Sequence, residues 1–260
     1  RPIGIWLLLF PCWWSLALAA APNWGRLVGL MALFALGALA ARGMGCTWND
    51  ILDRKVDAGV ERTRGRPLPM GEVKLRHAVI WMGLQGLVAV AVLFKLNKFA
   101  GGIALCSMLL VAVYPAMKRV TSWPQVVLGL AFNWGALVGY AAVTETLSWA
   151  TVALYFGGVA WTMVYDTIYA MQDQRDDAIV GVKSTARRFA NAPKRWLALF
   201  AVLALGFWTL TGLLAPLGVG YFVLLAVVAA HFFWQIAFVD PANPASCLMR
   251  FKSNKQVGWL

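Results

Sequence analysis

Apolar residues in this chain gather in long, nearly unbroken blocks instead of alternating with polar ones. Eight blocks lie near residues 2–21, 26–48, 76–95, 99–114, 123–143, 149–171, 195–214 and 217–239. Each comes close to the roughly 20 residues that an α-helix needs to cross about 30 Å of hydrocarbon. They are too long and continuous for the strands of a membrane barrel, whose signature is alternating segments of about ten residues. The pattern predicts an all-α, polytopic transmembrane helical bundle of eight spans. The linkers are unequal. The first is a short turn at Pro22-Asn23-Trp24, whereas the second and sixth, residues 49–75 and 172–194, are long and densely charged.

Composition agrees with the pattern: 61% of the 260 residues are hydrophobic, only 13% are charged, and the mean hydropathy is +0.68. Soluble globular domains do not have this balance. Arg1, the apolar block after it and Ala19-Ala20-Ala21 also fit the template of a cleaved secretory signal. The block is long for a signal, however, and is followed by further spans instead of a secreted domain. The chain opens on Arg and not Met, and stops at Gly258-Trp259-Leu260 where another apolar run would begin. The expectation is a single integral-membrane domain, residues 1–260, truncated at both ends.

The net charge of +12 would suit a nucleic-acid binder, but its distribution argues otherwise. With the linkers numbered alternately, nineteen of the 23 Lys and Arg fall on one side of the membrane, three (Arg26, Lys95 and Lys98) on the other, and Arg42 inside a span. By the positive-inside rule the rich side is the cytoplasm, or the matrix in mitochondria. The expected location is a bacterial inner membrane with the site facing the cytoplasm, or the mitochondrial inner membrane with the site facing the matrix. Cys12, Cys46, Cys106 and Cys247 show no ligand spacing and read as small buried hydrophobes. His77 and His231 stand alone and read as packed or interfacial residues.

Against this apolar background two acidic clusters stand out. Asn49, Asp53 and Asp57 are spaced i, i+4, i+8, so a helix continuing past the membrane edge would put them on one face, with Arg42 below on nearly the same stripe. Asp166, Tyr169, Asp173 and Asp177 follow at i, i+3, i+7 and i+11, again one helical face. Four crossings separate the two clusters, so both emerge on the base-rich side. Their corresponding positions suggest two four-helix halves related as a parallel repeat. A charge run is usually a solvated face, but solvation alone does not require helical spacing at a membrane edge. Stacked carboxylates repel unless a cation lies between them. Hard oxygen donors without Cys or His favour Mg²⁺ over zinc, and Mg²⁺ commonly joins one or two carboxylates to substrate phosphates. Gly181-Val182-Lys183-Ser184-Thr185 is not a phosphate loop, since the Gly spacing and the preceding strand are missing, but Lys183 is a cation close to the second cluster. Arg42 is a base within a span, which makes a functional partner the default reading and snorkelling the bland one.

Two metal sites at a membrane edge, with Lys and Arg between them, suit a diphosphate whose remainder is too greasy for water. An allylic prenyl diphosphate meets both demands. Its departing diphosphate needs positive charge, and its tail needs an apolar cavity. A cation transporter is the alternative, but transporter acids sit near the middle of the membrane on broken helices and not among bases at one edge. A structural subunit would gain nothing from two aligned carboxylate faces.

The residues that carry this chemistry resemble those of the UbiA-type intramembrane aromatic prenyltransferases. The resemblance runs through Arg1-Pro2-Ile3-Gly4, Leu7-Leu8-Leu9-Phe10-Pro11, Asn49-Asp50-x-x-Asp53-x-x-x-Asp57 and Arg62-Thr63-x-x-Arg66-Pro67-Leu68. It continues in Tyr114-Pro115-x-x-Lys118-Arg119, Trp123-Pro124-Gln125, Asp166-Thr167-x-Tyr169-Ala170-x-x-Asp173-x-x-x-Asp177 and Lys183-Ser184-Thr185. It covers essentially the whole chain. Within the family the pattern is most similar to members that prenylate 4-hydroxybenzoate in ubiquinone biosynthesis. Siblings acting on homogentisate, dihydroxynaphthoate or haem are the alternative.

The resemblance implies that Asn49, Asp53 and Asp57 hold one Mg²⁺ and Asp173 and Asp177 the other. Lys118, Arg119 and Lys183 would steady the diphosphate as it leaves, and Tyr169 and Asn49 would also contact substrate. Asp166 would bind or deprotonate the phenol, while Arg42, with Arg1, would meet the carboxylate of a small aromatic acid. The reaction implied is ionisation of a polyprenyl diphosphate, followed by attack from the ring carbon ortho to the hydroxyl. Trp13, Trp14, Phe132, Trp134, Trp161 and Tyr165 are candidates for lining the cavity that keeps water from the cation. The family has nine spans, so the ninth is expected to be missing here.

Overall fold

A computed structural model describes residues 2–19, 23–59, 63–179 and 181–260, with Asp176 described by its backbone alone. Its described residues form eleven α-helices: α1 (Ile3–Leu18), α2 (Trp24–Asp57), α3 (Leu75–Leu93), α4 (Lys98–Val120), α5 (Pro124–Thr144), α6 (Trp149–Ala170), α7 (Gln174–Ile179), α8 (Thr185–Arg188), α9 (Pro193–Leu214), α10 (Val219–Phe238) and α11 (Pro244–Trp259). One 3₁₀ turn, Met171–Asp173, links α6 to α7. Six of these helices, α2, α3, α4, α5, α9 and α10, are long and apolar enough to cross a membrane. The helix α1 has 16 residues, and α6, with 22, is buried along most of its length.

Helix starts follow local chemistry. The side chains of Asn23, Asn97, Ser148 and Asn243 each accept a hydrogen bond from a backbone N–H of the following turn, at Arg26 (2.7 Å), Ala100 (2.8 Å), Thr151 (3.2 Å) and Ala245 (3.0 Å). Such caps satisfy donors that a helix leaves open. Pro124, Pro193 and Pro244 occupy first-turn positions, where a missing N–H carries no penalty.

Helices α5 and α6 form the centre. α1 and α4 pack on α5, α9 packs on α6, α2 pairs with α3 and reaches α1, and α10 lies outside α9. Small residues allow the closest approach, as is usual where lipid supplies no hydrophobic drive between helices. A Cβ at Gly139 of α5 would come within 2.2 Å of the Ser15 hydroxyl of α1, and one at Gly135 within 2.3 Å of the Cys12 sulfur. Asn133, an isolated polar residue of α5, donates to the Thr162 hydroxyl of α6 at 2.8 Å. The core gathers Leu7, Phe10, Trp161, Tyr165, Leu197, Trp208 and Phe232 from four helices.

Residues 245–257, a polar stretch by sequence, lie within helix α11, which packs across α6 and α1. Trp161 Nε1 donates to Asn254 Oδ1 at 2.8 Å and Trp14 Nε1 to the Gly258 carbonyl at 2.9 Å. The polar residues that disguised this helix are therefore its attachments. The two tryptophans are core residues, not cavity lining. Trp161 is fully buried, and both pack against Trp208.

Candidate active site

Helix α2 runs unbroken for 34 residues, about 51 Å at 1.5 Å per residue, so it outlasts the hydrocarbon by several turns. Its last turns carry the first acidic cluster as a continuous helix. Asp53 is wholly buried and Asp57 nearly so. Neither carboxylate stands alone. Asp53 pairs with Lys118 Nζ of α4 and lies 3.4 Å from Arg119 Nη2. Arg66, from the segment after α2, joins Asp57 and Asp50, the latter at 2.9 Å. Burial of paired charges holds only where the partners satisfy one another. The bases at the end of α4 and at Arg66 thus neutralise the acids of α2.

The second cluster begins inside α6 and leaves it through the 3₁₀ turn, so the strict α-helical spacing expected from sequence gives way at Met171–Asp173 before α7 resumes. The following loop is tied back to the bundle. Lys183 N–H donates to the Lys118 carbonyl at 2.8 Å, Thr185 N–H to Gln125 Oε1 at 3.1 Å, and the Thr185 and Thr167 hydroxyls bond at 2.7 Å. Gly181 turns this loop with φ +75°, in the left-handed region that glycine tolerates. The ends of α2, α4 and α6 are brought together in this way.

Two cavities meet between them. The smaller, about 170 Å³, is polar: Asn49, Asp57, Asp173 and Asp177 face Arg66, Lys118 and Lys183 across it. The larger, about 640 Å³, is mostly apolar and is walled by α1 to α6 and α11, with Phe132, Trp134 and Tyr165 among its aromatic lining. Asn49, Tyr114, Asp166 and Tyr169 line both. They mark the neck at which a polar chamber adjoins an apolar one. Trp13, Trp14 and Trp161 are absent from either wall.

Arg42 lies in the apolar cavity with its guanidinium packed on Gly4, where an added Cβ would come within 2.5 Å of Nε, and 5.1 Å from the centre of the Phe132 ring. Its Nε is buried without a hydrogen-bond acceptor, and no described carboxylate forms an ion pair with it. Asp166 of α6, which lines the same cavity, interacts with Arg42 electrostatically.

The sequence-predicted residues therefore divide. Asn49, Asp57, Lys118, Asp166, Tyr169, Asp173, Asp177 and Lys183 line the polar chamber; Arg42 lines the apolar cavity, and Asn49, Asp166 and Tyr169 belong to both. Asp53 and Arg119 stand behind the chamber wall as an ion pair, with Arg119 half exposed. The Lys183 ammonium is exposed and donates to the Val120 carbonyl at 3.1 Å. Arg1 and Arg62 lie outside the described residues. Sequence spacing gave no role to Tyr114, Gln125 or Arg66, because each reaches the site from a separate element. Cys12 and Cys247 are buried as expected, but Cys106 is exposed. His231 bonds Ser253 and Gln235 away from the site.

The donors suit Mg²⁺. Asn49, Asp57, Asp173 and Asp177 offer the chamber oxygen alone, and Asp53 lies one helical turn from both Asn49 and Asp57. Among the described residues no three acidic, His or Cys side chains converge into a cage of their own.

Comparison with known proteins agrees with this geometry. The UbiA prenyltransferase family model matches residues 8–256. The chain is 47% identical over 259 residues to the mitochondrial 4-hydroxybenzoate polyprenyltransferase of Arabidopsis thaliana, covering 99% of this chain and 64% of the plant protein. It is 45% identical over 261 residues to the rat protein of the same name, covering 100% of this chain and 70% of that one. It thus spans about two thirds of the length of these curated relatives. Among solved structures, an apo UbiA homologue from Aeropyrum pernix superposes with a TM-score of 0.81 at 20% identity, over 98% of this chain and 96% of that one. A UbiA homologue from Archaeoglobus fulgidus bound to GPP and Mg²⁺ gives a TM-score of 0.72 at 19% identity, over 99% and 94%. At such identities the structures establish a shared fold, and the family match over nearly the whole sequence establishes kinship: the chain belongs to the UbiA prenyltransferase family.

Proposed function

We propose that this chain transfers a polyprenyl group from a polyprenyl diphosphate to the ring carbon ortho to the hydroxyl of 4-hydroxybenzoate, a step of ubiquinone biosynthesis, with Mg²⁺ as cofactor. The observation that carries the reading is the neck: a chamber lined by acids and bases adjoins, at Asn49, Tyr114, Asp166 and Tyr169, a cavity for an apolar tail. A prenyl diphosphate has this same polarity boundary at the bond that must break. The names of the plant and rat relatives supply the acceptor, and the archaeal neighbour bound to GPP and Mg²⁺ supports the donor and the metal.

Asn49, Asp53 and Asp57 would hold one ion and Asp173 and Asp177 the other. When bound, Mg²⁺ supplies positive charge to the diphosphate oxygens as the C–O bond breaks. Lys118 and Lys183, with Arg119 behind them, add fixed positive charge to the same leaving group, and charge developed in a partly dehydrated site is stabilised strongly by such groups. The bond's electron pair departs with the diphosphate. The ring carbon ortho to the phenol then forms the new C–C bond, and the ring proton is lost. Asp166, at the neck, takes the phenol proton or orients the phenol, and Arg42 holds the carboxylate deeper in the apolar cavity. That cavity keeps water from the allylic cation.

Eight crossings complete the proposed topology, with α1 and α6 joining the six apolar spans. The two halves would be α1 to α4 and α5, α6, α9 and α10, joined through the packing of α1 and α4 on α5. The membrane is the bacterial or mitochondrial inner membrane, with the chamber on the base-rich side.

The reading is tested by incubating the protein in membranes with labelled polyprenyl diphosphate and 4-hydroxybenzoate, with and without excess chelator. Prenylated 4-hydroxybenzoate should form and chelator should abolish it. Undiminished turnover in chelator would contradict the role given to the acids.

A further inference from the structure

The three bases of α11 meet different fates. Arg250 lays its guanidinium on the Trp234 ring, 3.8 Å from its centre, and Lys255 stands 4.8 Å from the centre of the Trp6 ring. The side chain of Lys252 makes no ion pair or hydrogen bond with any described residue. It lines the apolar cavity beside Phe251 and Leu248.

Only three described charged side chains line that cavity: Arg42, Asp166 and Lys252. Two cations against one carboxylate leave it net positive. The prenyl tail is uncharged, and the diphosphate belongs to the other chamber, whose own bases do not include Lys252. An anion drawn into the apolar cavity must therefore be the second substrate. Arg42 is half-buried and Lys252 exposed, so Lys252 is the more accessible of the two cations that line the cavity. A cation at the rim of a low-dielectric cleft raises the local concentration of an anionic ligand.

We infer that Lys252 is a specificity-determining residue that steers the carboxylate of the aromatic acceptor and helps to hold it on the way to Arg42. This rests on the proposed reaction for the identity of the acceptor, and it assigns to α11 a part in choosing acids over neutral phenols. A lysine that merely snorkels at the membrane interface has no such preference.

The test compares wild type, K252Q and K252R, each as the full chain in liposomes, on 4-hydroxybenzoate and on its neutral methyl ester. K252Q should raise the KM for the acid about fivefold, the scale of a partly exposed charge pair, leaving the KM for the ester and for the diphosphate as in wild type. K252R should restore the acid. High salt should narrow the gap between wild type and K252Q. An unchanged KM for the acid in K252Q, or equal shifts on acid and ester, would overturn the assignment. If the wild type prenylates neither compound, the proposed reaction fails on its own, and equilibrium binding of 4-hydroxybenzoate judges Lys252 instead. Weaker binding by K252Q then supports the residue's role, and equal binding refutes it.

Discussion

Asp53 concentrates the problem the site has solved. A fully buried carboxylate at a membrane edge survives because Lys118 and Arg119 arrive from a helix 65 and 66 residues away in sequence. Its partner acids were legible from the i, i+4, i+8 spacing, since helical geometry fixes a face without further information. The pairing with α4 was not, because nothing in local spacing says which helix stands opposite. Tyr114 and Gln125 were missed for the same reason. Asp53→Ala and Asp173→Ala should each lower kcat at least about 100-fold, the scale of losing one electrostatic stabiliser of a leaving group. Unchanged circular dichroism would keep that loss distinct from unfolding. Arg42→Ala should raise the KM for the aromatic acid about tenfold or more, the worth of a charge-assisted hydrogen bond, with little change for the diphosphate. Gly4→Ala, whose new methyl would collide with the Arg42 guanidinium, should give the same signature more weakly. Equal effects on both substrates would remove Arg42 from the acceptor site.

At the level of elements, long apolar blocks were sufficient to locate the eight longer helices from α1 to α10, six of which are long and apolar enough to cross a membrane. They were insufficient for α11. Its Ser, Asn, Lys and Arg residues hide a buried face formed by Cys247, Phe251, Asn254, Val257 and Gly258, and a helix used to close a bundle need not be apolar all round. The tie from Trp161 to Asn254 gives this closure a measurable weight. Asn254→Ala leaves the buried indole N–H without its acceptor, at a cost of about 1–3 kcal/mol, and should lower the thermal midpoint in detergent by several degrees. No shift would mean that α11 is held by other contacts. The 3₁₀ turn at Met171–Asp173 was equally hidden, since a change of helical pitch leaves the acids close to their expected face and alters no composition.

For the molecule as a whole, the proposed topology puts most bases on one side of the membrane, and the structure gathers acids and bases into one chamber beside an apolar cavity. The first is an expectation that counting Lys and Arg along the sequence supplies. The sequence holds only the ingredients of the second, because a cavity belongs to the packing of seven helices and to no single stretch. In the proposed reaction, donor and acceptor meet at the neck formed by Asn49, Tyr114, Asp166 and Tyr169. The direct measurement is a panel assay: the protein in membranes with labelled polyprenyl diphosphate, Mg²⁺, and 4-hydroxybenzoate, homogentisate, dihydroxynaphthoate or haem. Label should appear on the ring carbon ortho to the hydroxyl of 4-hydroxybenzoate, dependent on Mg²⁺ and lost in Asp53→Ala. Label on another acceptor, with none on 4-hydroxybenzoate, would contradict the account.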